Sequence, residues 1–284
     1  MTRIVAVISL LIALLVDGLF ARESGSVGRT APSSPLPITV TYIANEGFLI
    51  EAAGKKVLID ALFDGGQPDY MVPSPELLGQ IETGKGPFAA VDLILATHVH
   101  GDHFSPAIIL RYLRAHPRCH FAAHKQVVDT IRGDRSFPDV RKQVHELDLL
   151  TGVRGQVALE GITVDALCLN DGAPQREVKN LVFLVDMGGA RFLHMGDAFL
   201  WDRQNDIPLD AYPFERAHID LLFLNQYDRG PARTRDLIAN RIKPSHLVIM
   251  HIGPGEFAAA SQKLHASFPL ATLFEKPMER RVFR

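Results

Sequence analysis

Seven consecutive residues carry most of the chemistry in this chain: Thr97-His98-Val99-His100-Gly101-Asp102-His103. Three imidazoles and a carboxylate fall within positions 98–103, directly after the apolar run Val91-Asp92-Leu93-Ile94-Leu95-Ala96. Such a run reads as a buried strand, so the cluster sits where a strand gives out into a loop. His98 and His100, two apart, face the same way if the backbone stays extended. Gly101 then allows a sharp turn, after which Asp102 and His103 can face a second point a few ångströms away. Neutral imidazole and carboxylate are ligands that suit zinc, and also iron or manganese. A polar loop rich in histidine by accident is the competing explanation. Chance rarely sets four such ligands at this spacing behind a buried strand.

A cluster of this kind must be carried by a sheet. Ile38–Ile43 and Phe48–Ala52 alternate or run apolar, and Lys55–Asp60 follows Gly54. The three segments predict a β-meander with tight connections at Asn45-Glu46-Gly47 and Ala53-Gly54. Asp64 to Pro87 is rich in Gly and Pro, interrupted by a short helical candidate, Pro75–Ile81. It reads as a surface excursion near the mouth of the site. Ser105–His116 carries Ile108, Ile109, Tyr112 and Leu113 at the spacing of an amphipathic helix packed on a sheet. Cys119–Ala123 predicts a strand and Lys125–Arg132 a helix. Val140–Leu149, Gln156–Leu159 and Ile162–Leu169 are further strand candidates. Asn180–Asp186 and Ala190–His194 predict a hairpin around Met187-Gly188-Gly189. Ile219–Leu224 and Leu247–His251 predict buried strands on either side of a helix, Thr234–Arg241. The segment Trp201–Phe214, with Pro208 and Pro213, reads as a loop able to cover the site. Elements mixed in this way suggest two sheets sandwiched with helices outside.

Composition is that of a globular protein: 47% hydrophobic and 22% charged, enough for a sizeable core. A formal net charge of −2 offers no basic field for a nucleic-acid backbone. At the amino terminus Arg3 precedes an apolar stretch, Ile4 to Val16, the length of a signal-peptide core and short for a membrane span. Residues 1–21 therefore read as a signal peptide cleaved after Ala21, and 22–37 as a flexible leader. Export to a periplasm or the medium is the expectation, with no stable membrane insertion after cleavage. An uncleaved anchor is the alternative. Cys119 and Cys168 make no disulfide framework; the sequence leaves open whether they pair or stay buried thiols.

The cluster at 97–103 is an HxHxDH signature, and through it the chain resembles the metallo-β-lactamase superfamily over roughly residues 38–275. It looks most like the branch of metal-dependent hydrolases with lactonase-like and phosphodiesterase-like members. The resemblance implies an α/β (α+β) fold, a four-layer αββα sandwich, with residues 38–284 as one catalytic domain. Leu58-Ile59-Asp60 resembles the first motif of the superfamily, whose acid orients a metal-bound histidine from behind. Asp197, in His194-Met195-Gly196-Asp197, matches the aspartate that bridges both metals. His194, three residues earlier, is expected to point elsewhere. His251, at the end of Val248-Ile249-Met250-His251, matches the ligand that completes the second metal site. His246 is expected on the far side of the sheet.

The third ligand of the first site departs from the pattern. Where members commonly place a histidine, this chain has Leu167-Cys168-Leu169-Asn170-Asp171-Gly172. Asp171 is favoured, because an anionic ligand holds a divalent cation better than an amide; Asn170 is the alternative. A third outcome is a weak first site that often stays empty.

What the resemblance implies is a hydrolase with two zinc ions per chain, iron or manganese being the alternatives. His98, His100 and Asp171 would hold one metal, Asp102, His103 and His251 the other, and Asp197 both. A hydroxide between the cations would attack an ester, lactone, amide or phosphodiester centre, and Asp102 would handle a proton for the leaving group. The expected partner is a small-molecule substrate, not a nucleic acid. Two rivals stand beside this reading: a mononuclear iron oxygenase of the same fold, and a degenerate metal-binding protein without turnover. Phe63, Tyr70, Phe104, Trp201 and Tyr227 lie near predicted loops and could line a pocket, but they identify no substrate.

Overall fold

Fourteen strands pair into two seven-stranded sheets in the computed structural model, which describes residues 36–66, 69–171, 177–200, 202–229 and 232–284. They are β1 (Ile38–Ala44), β2 (Gly47–Ala52), β3 (Lys55–Ile59), β4 (Leu93–Ala96), β5 (His120–His124), β6 (Val144–Leu147) and β7 (Arg154–Leu159). The rest are β8 (Ile162–Asn170), β9 (Lys179–Met187), β10 (Ala190–His194), β11 (Leu221–Asn225), β12 (His246–Met250), β13 (Thr272–Leu273) and β14 (Arg280–Phe283). One sheet runs β14-β1-β2-β3-β4-β5-β6 and the other β13-β12-β11-β10-β9-β8-β7.

The expected meander is present: β1, β2 and β3 pair antiparallel, with Ala53 and Gly54 turning at positive φ between β2 and β3. From β3 onward the first sheet is parallel, as is the second from β10 to β13. The carboxyl ends of β4, β10, β11 and β12 therefore open at one rim of the sandwich. The backbone of Thr97 closes that rim by accepting a hydrogen bond from Leu181 N (2.8 Å), joining the two sheets.

Alternation along the strands sends one set of side chains between the sheets. Phe48, Phe183, Phe192 and Phe223 fill this middle layer, with the Phe48 and Phe223 rings 4.8 Å apart. Each such buried ring contributes about 1.5–3 kcal/mol relative to exposure. Helices α1 (Pro75–Glu82), α2 (Pro106–Ala115), α3 (Lys125–Arg132) and α4 (Phe137–Val140) serve the outer face of the first sheet. In α2 the predicted stripe of Ile108, Ile109, Tyr112 and Leu113 is buried. Helices α5 (Arg203–Ala211), α6 (Ala232–Asp236) and α7 (Phe257–Ser267) lie with the outer face of the second sheet. The result is the expected αββα layering.

Three expectations need correction, and one open question is answered. Trp201–Phe214 is not a covering loop: Asp202 caps α5 by accepting from Gln204 N, and Pro208 sits inside that helix; Trp201 itself lies outside the described residues. Val140–Leu149 is a strand only over Val144–Leu147, because Phe137 and Val140 are anchored as a helical turn beneath α2. Thr234–Arg241 starts in α6 and continues as a wider π-helical segment, Leu237–Ile242, ending at Lys243 with φ 49°. The two cysteines are free thiols in different layers, Cys168 between the sheets and Cys119 beneath the helices, so they cannot pair. Burial pushes the Cys168 thiol up to about 11. The signal-peptide and leader expectations fall on residues 1–37, of which only Leu36 and Pro37 are described. Among the described residues no helix is long and apolar enough to cross a membrane.

Candidate metal centre

The HxHxDH segment is held from behind by one carboxylate. Asp60, at the end of β3 with φ 44°, accepts Thr97 N (2.8 Å) on one oxygen and Thr97 Oγ1 (2.6 Å) on the other. The second oxygen also faces His103 Nδ1 at 3.1 Å. Because Thr97 Oγ1 gives its proton to Asp60, it accepts from His98 Nδ1 at 3.0 Å. Both histidines are thus fixed with protonated Nδ1 and with Nε2 aimed forward. The orienting role expected of Asp60 is carried by this geometry. The turn itself closes through His103 N and Phe104 N, which both donate to the His100 carbonyl (3.2 Å each).

Two donor clusters form on the forward side. One ligand atom from each of His98, His100, Asp171 and Asp197 lies within 4.8 Å of the others, and Asp102, His103 and His251 form a second such group. In the first, His98 Nε2 and His100 Nδ1 stand 2.9 Å apart, and His100 Nδ1 is 3.4 Å from Asp171 Oδ2. In the second, Asp102 Oδ2 lies 3.7 Å from His103 Nε2 and 3.9 Å from His251 Nε2. Asp197 stands between them, 3.6 Å from His98 Nε2, 3.6 Å from His103 Nε2 and 3.5 Å from His251 Nε2. All seven residues singled out in the sequence therefore converge on one rim of the sandwich.

Asp171 and Asn170 are separated by what holds them. Asn170 is spent on structure: its Oδ1 accepts from Thr151 Oγ1 (2.7 Å) and Lys179 Nζ (2.9 Å), and its amide donates to Gln204 Oε1. Buried Asn205 of α5 pairs with both backbone groups of Asn170 (3.2 and 3.1 Å), extending the sheet with a side chain. Asp171, the next residue, turns its carboxylate toward His100 and is buried.

Asp197 is clamped more tightly than its sequence context suggested. Its N–H donates to Asn180 Oδ1 (3.1 Å), and its Oδ1 accepts from Asn225 Nδ2 (2.8 Å). Asn225 Nδ2 also reaches Glu46 Oε1 (3.1 Å). A Cβ on Gly196, whose φ is +54°, would stand 2.4 Å from Asn180 Oδ1, so the turn that delivers Asp197 requires glycine. His251 likewise adopts φ 63°, a conformation rare outside glycine and frequent at functional sites.

Sequence reading missed Glu46, Asn45, Asn180 and Asn225. Glu46 is fully buried beside Asp60 and His194, and Asn45 Nδ2 donates to Asp102 Oδ2 (3.2 Å). The available signal was an acid and an amide in a turn between two apolar strands. His194 points away from the centre, as expected, with its ring nitrogens engaged by the Glu46 carbonyl and Gly196 N. His246 also lies away, at the Arg284 carbonyl. Phe63 and Phe104 are core residues, whereas Tyr70 and Tyr227 stand beside His251.

The electrostatics match a cation site. Burial, with neighbouring His103, holds His98 well below the ordinary histidine range, and burial lowers His100 too. Both keep their lone pairs at neutral pH. Burial would also depress His103, but Asp197 and Asp60 overcome it and raise the imidazole to about 9. Burial likewise opposes ionisation of Asp197, yet His251 and His103 hold it well below the usual carboxylate range. Burial and the adjacent Asp197 and Asp60 push Glu46 well above that range. His103 Nε2 is buried, lacks a hydrogen-bond partner among the described residues and aims at the converging carboxylates. An unsatisfied buried polar atom costs about 1–3 kcal/mol, a cost that coordination removes. Four imidazoles and three carboxylates thus fit a pair of divalent cations of the zinc, manganese or iron type.

An αββα sandwich with two donor clusters at the carboxyl ends of its strands defines a metallo-hydrolase-type fold. A family profile described as Beta-lactamase superfamily domain matches residues 55–272. The chain belongs to that family, the metallo-β-lactamase superfamily that the HxHxDH resemblance implied. It is 22% identical over 215 residues to a UPF0173 metal-dependent hydrolase of Pyrococcus furiosus, covering 75% of this chain and 84% of that one. Among solved structures it is similar to Igni18, a metallo hydrolase of Ignicoccus hospitalis. That likeness has TM-score 0.56 at 18% identity, over 87% of this chain and 99% of that one. It is also similar to CmlA, a diiron β-hydroxylase of Streptomyces venezuelae, with TM-score 0.51 at 16% identity, over 89% and 55% of the two chains. At these identities the structural likenesses show the fold.

Proposed function

We propose that the chain is a binuclear metallo-hydrolase acting on a small-molecule ester, lactone, amide or phosphodiester. His98, His100 and Asp171 would hold one cation, Asp102, His103 and His251 the other, and Asp197 would contribute to both. The observation that carries this reading is the pair of donor clusters meeting at Asp197, with 3.6 Å to His98, 3.6 Å to His103 and 3.5 Å to His251. Zinc in such a site supplies Lewis acidity toward the attacked oxygen and lowers the pKa of water to about 7.

The chain's own residues do the rest. Thr97 and Asp60 hold Nδ1 of His98 and His103 from behind, so that Nε2 of each is the nitrogen turned toward the centre, His103 giving up its second proton when a cation binds. Asn225 and Asn180 keep Asp197 centred. Asn45 holds Asp102 from one side at Oδ2, and this carboxylate would take up a proton and return it to the leaving atom. The net charge of −2 favours small-molecule substrates over nucleic acid. We also propose that the protein is exported by residues 1–21, which amino-terminal sequencing of the mature protein tests.

Hydrolysis is tested with zinc-loaded protein on p-nitrophenyl acetate, a γ-lactone and bis(p-nitrophenyl) phosphate, with His98→Ala and Asp197→Ala as controls. Turnover lost in both variants supports the reading. One bound iron with oxygen consumption would move the protein to the oxygenase reading, with which a carboxylate ligand at Asp171 is compatible. Stoichiometric metal with no turnover would leave a binding protein.

A further inference from the structure

Two tyrosine hydroxyls meet beside the proposed metal centre, one from the segment before α1 and one from the helical turn Gln226–Arg229, which no sequence motif links. Tyr70 Oη and Tyr227 Oη are 2.9 Å apart. The Tyr70 ring stands edge-on to His251, with centroids 4.1 Å apart and planes at 78°. The Tyr227 ring lies 5.8 Å from the same imidazole.

Each tyrosine is tied to a residue of the centre. A Cβ on Gly253, two residues after His251, would lie 2.5 Å from the Asp69 carbonyl. Glycine there lets the chain before Tyr70 sit directly on the His251 loop. Tyr227 N donates to Asn225 Oδ1 (3.0 Å), and the Nδ2 of that amide holds Asp197 at 2.8 Å. The pair therefore keeps its place relative to both His251 and Asp197.

A phenol carries one proton and ionises near 10, so at neutral pH the pair holds two protons. Their mutual hydrogen bond uses one, leaving the accepting hydroxyl one proton for a third partner. Tyr70 is half-buried against His251, whereas Tyr227 faces solvent at 42% exposure. We infer that Tyr70 Oη, accepting from Tyr227, donates a hydrogen bond to an oxygen of the bound substrate at the mouth of the centre. Tyr70 is then the binding residue, and Tyr227 a positioning residue that acts through it. The substrate class this selects has an exposed acceptor oxygen, carbonyl or phosphoryl. The inference rests on the metal-centre reading.

Inorganic phosphate, titrated calorimetrically into the zinc-loaded protein, is the probe. The expected result is binding that weakens tenfold or more in Tyr70→Phe and less in Tyr227→Phe, with zinc content and melting temperature unchanged. The double variant should bind as Tyr70→Phe does; a purely structural pair would instead lose affinity additively. Equal affinity in wild type and Tyr70→Phe, or no phosphate binding by wild type, would overturn the inference. Tyr70-dependent phosphate binding without hydrolysis of any test substrate would sink the hydrolase reading and leave this one standing.

Discussion

His98 Nε2 and His100 Nδ1 face each other at 2.9 Å, two ring nitrogens aimed at one point. Ligands about 2.0–2.1 Å from a tetrahedral zinc stand roughly 3.3 Å from one another, so the pair is spaced close to what a shared cation needs. Asp171 completes the cluster at 3.4 Å from His100.

Proton release should accompany metal binding. In the metal-free protein His103 is raised to about 9, so at pH 7.5 it carries a proton that a cation must displace. Zinc titrations in buffers of different ionisation enthalpy should show about one proton released per chain. Affinity should climb with pH until about 9 and then level off. Binding that is independent of pH between 7 and 9 would contradict the assignment of His103.

Asn225→Ala should weaken metal binding without unfolding the protein. Asn225 touches Asp197 and Glu46 through a single nitrogen, and losing such outer support typically costs about 10–100-fold in metal affinity. Competition with a chromogenic chelator measures this. Wild-type affinity in the variant would mean that Asn180 alone holds Asp197.

Neither cysteine should react in the native state. Both thiols are buried, and burial raises the Cys168 thiol to about 11, far from the thiolate that attacks disulfides. Ellman's reagent should find no reactive thiol in the folded protein and two after denaturation. A disulfide found by mass spectrometry would contradict the placement of Cys119 and Cys168 in separate layers.

The features legible in the sequence are those written locally. Val91–Ala96 followed by His98, His100, Asp102 and His103 compresses strand, turn and four donors into one stretch. Lys125–Arg132 announces its helix by apolar spacing, and its bounds match α3. The missed parts are assembled from afar. Glu46 becomes a site residue only where β1 and β2 meet the ends of β3 and β10, and Asn225 only because β11 ends beside Asp197. Strand β14 exists through pairing of Arg280–Phe283 with β1, some 240 residues away in sequence. Pro208 disguised α5, which forms because the Asp202 cap and the Asn205 bonds to Asn170 offset a missing backbone donor.

Metal content of purified wild type and Asp171→Ala, by elemental analysis, tests the central claim most directly. Two metals per chain in wild type falling toward one in the variant is the predicted result. Equal metal content in both would contradict a first site completed by Asp171.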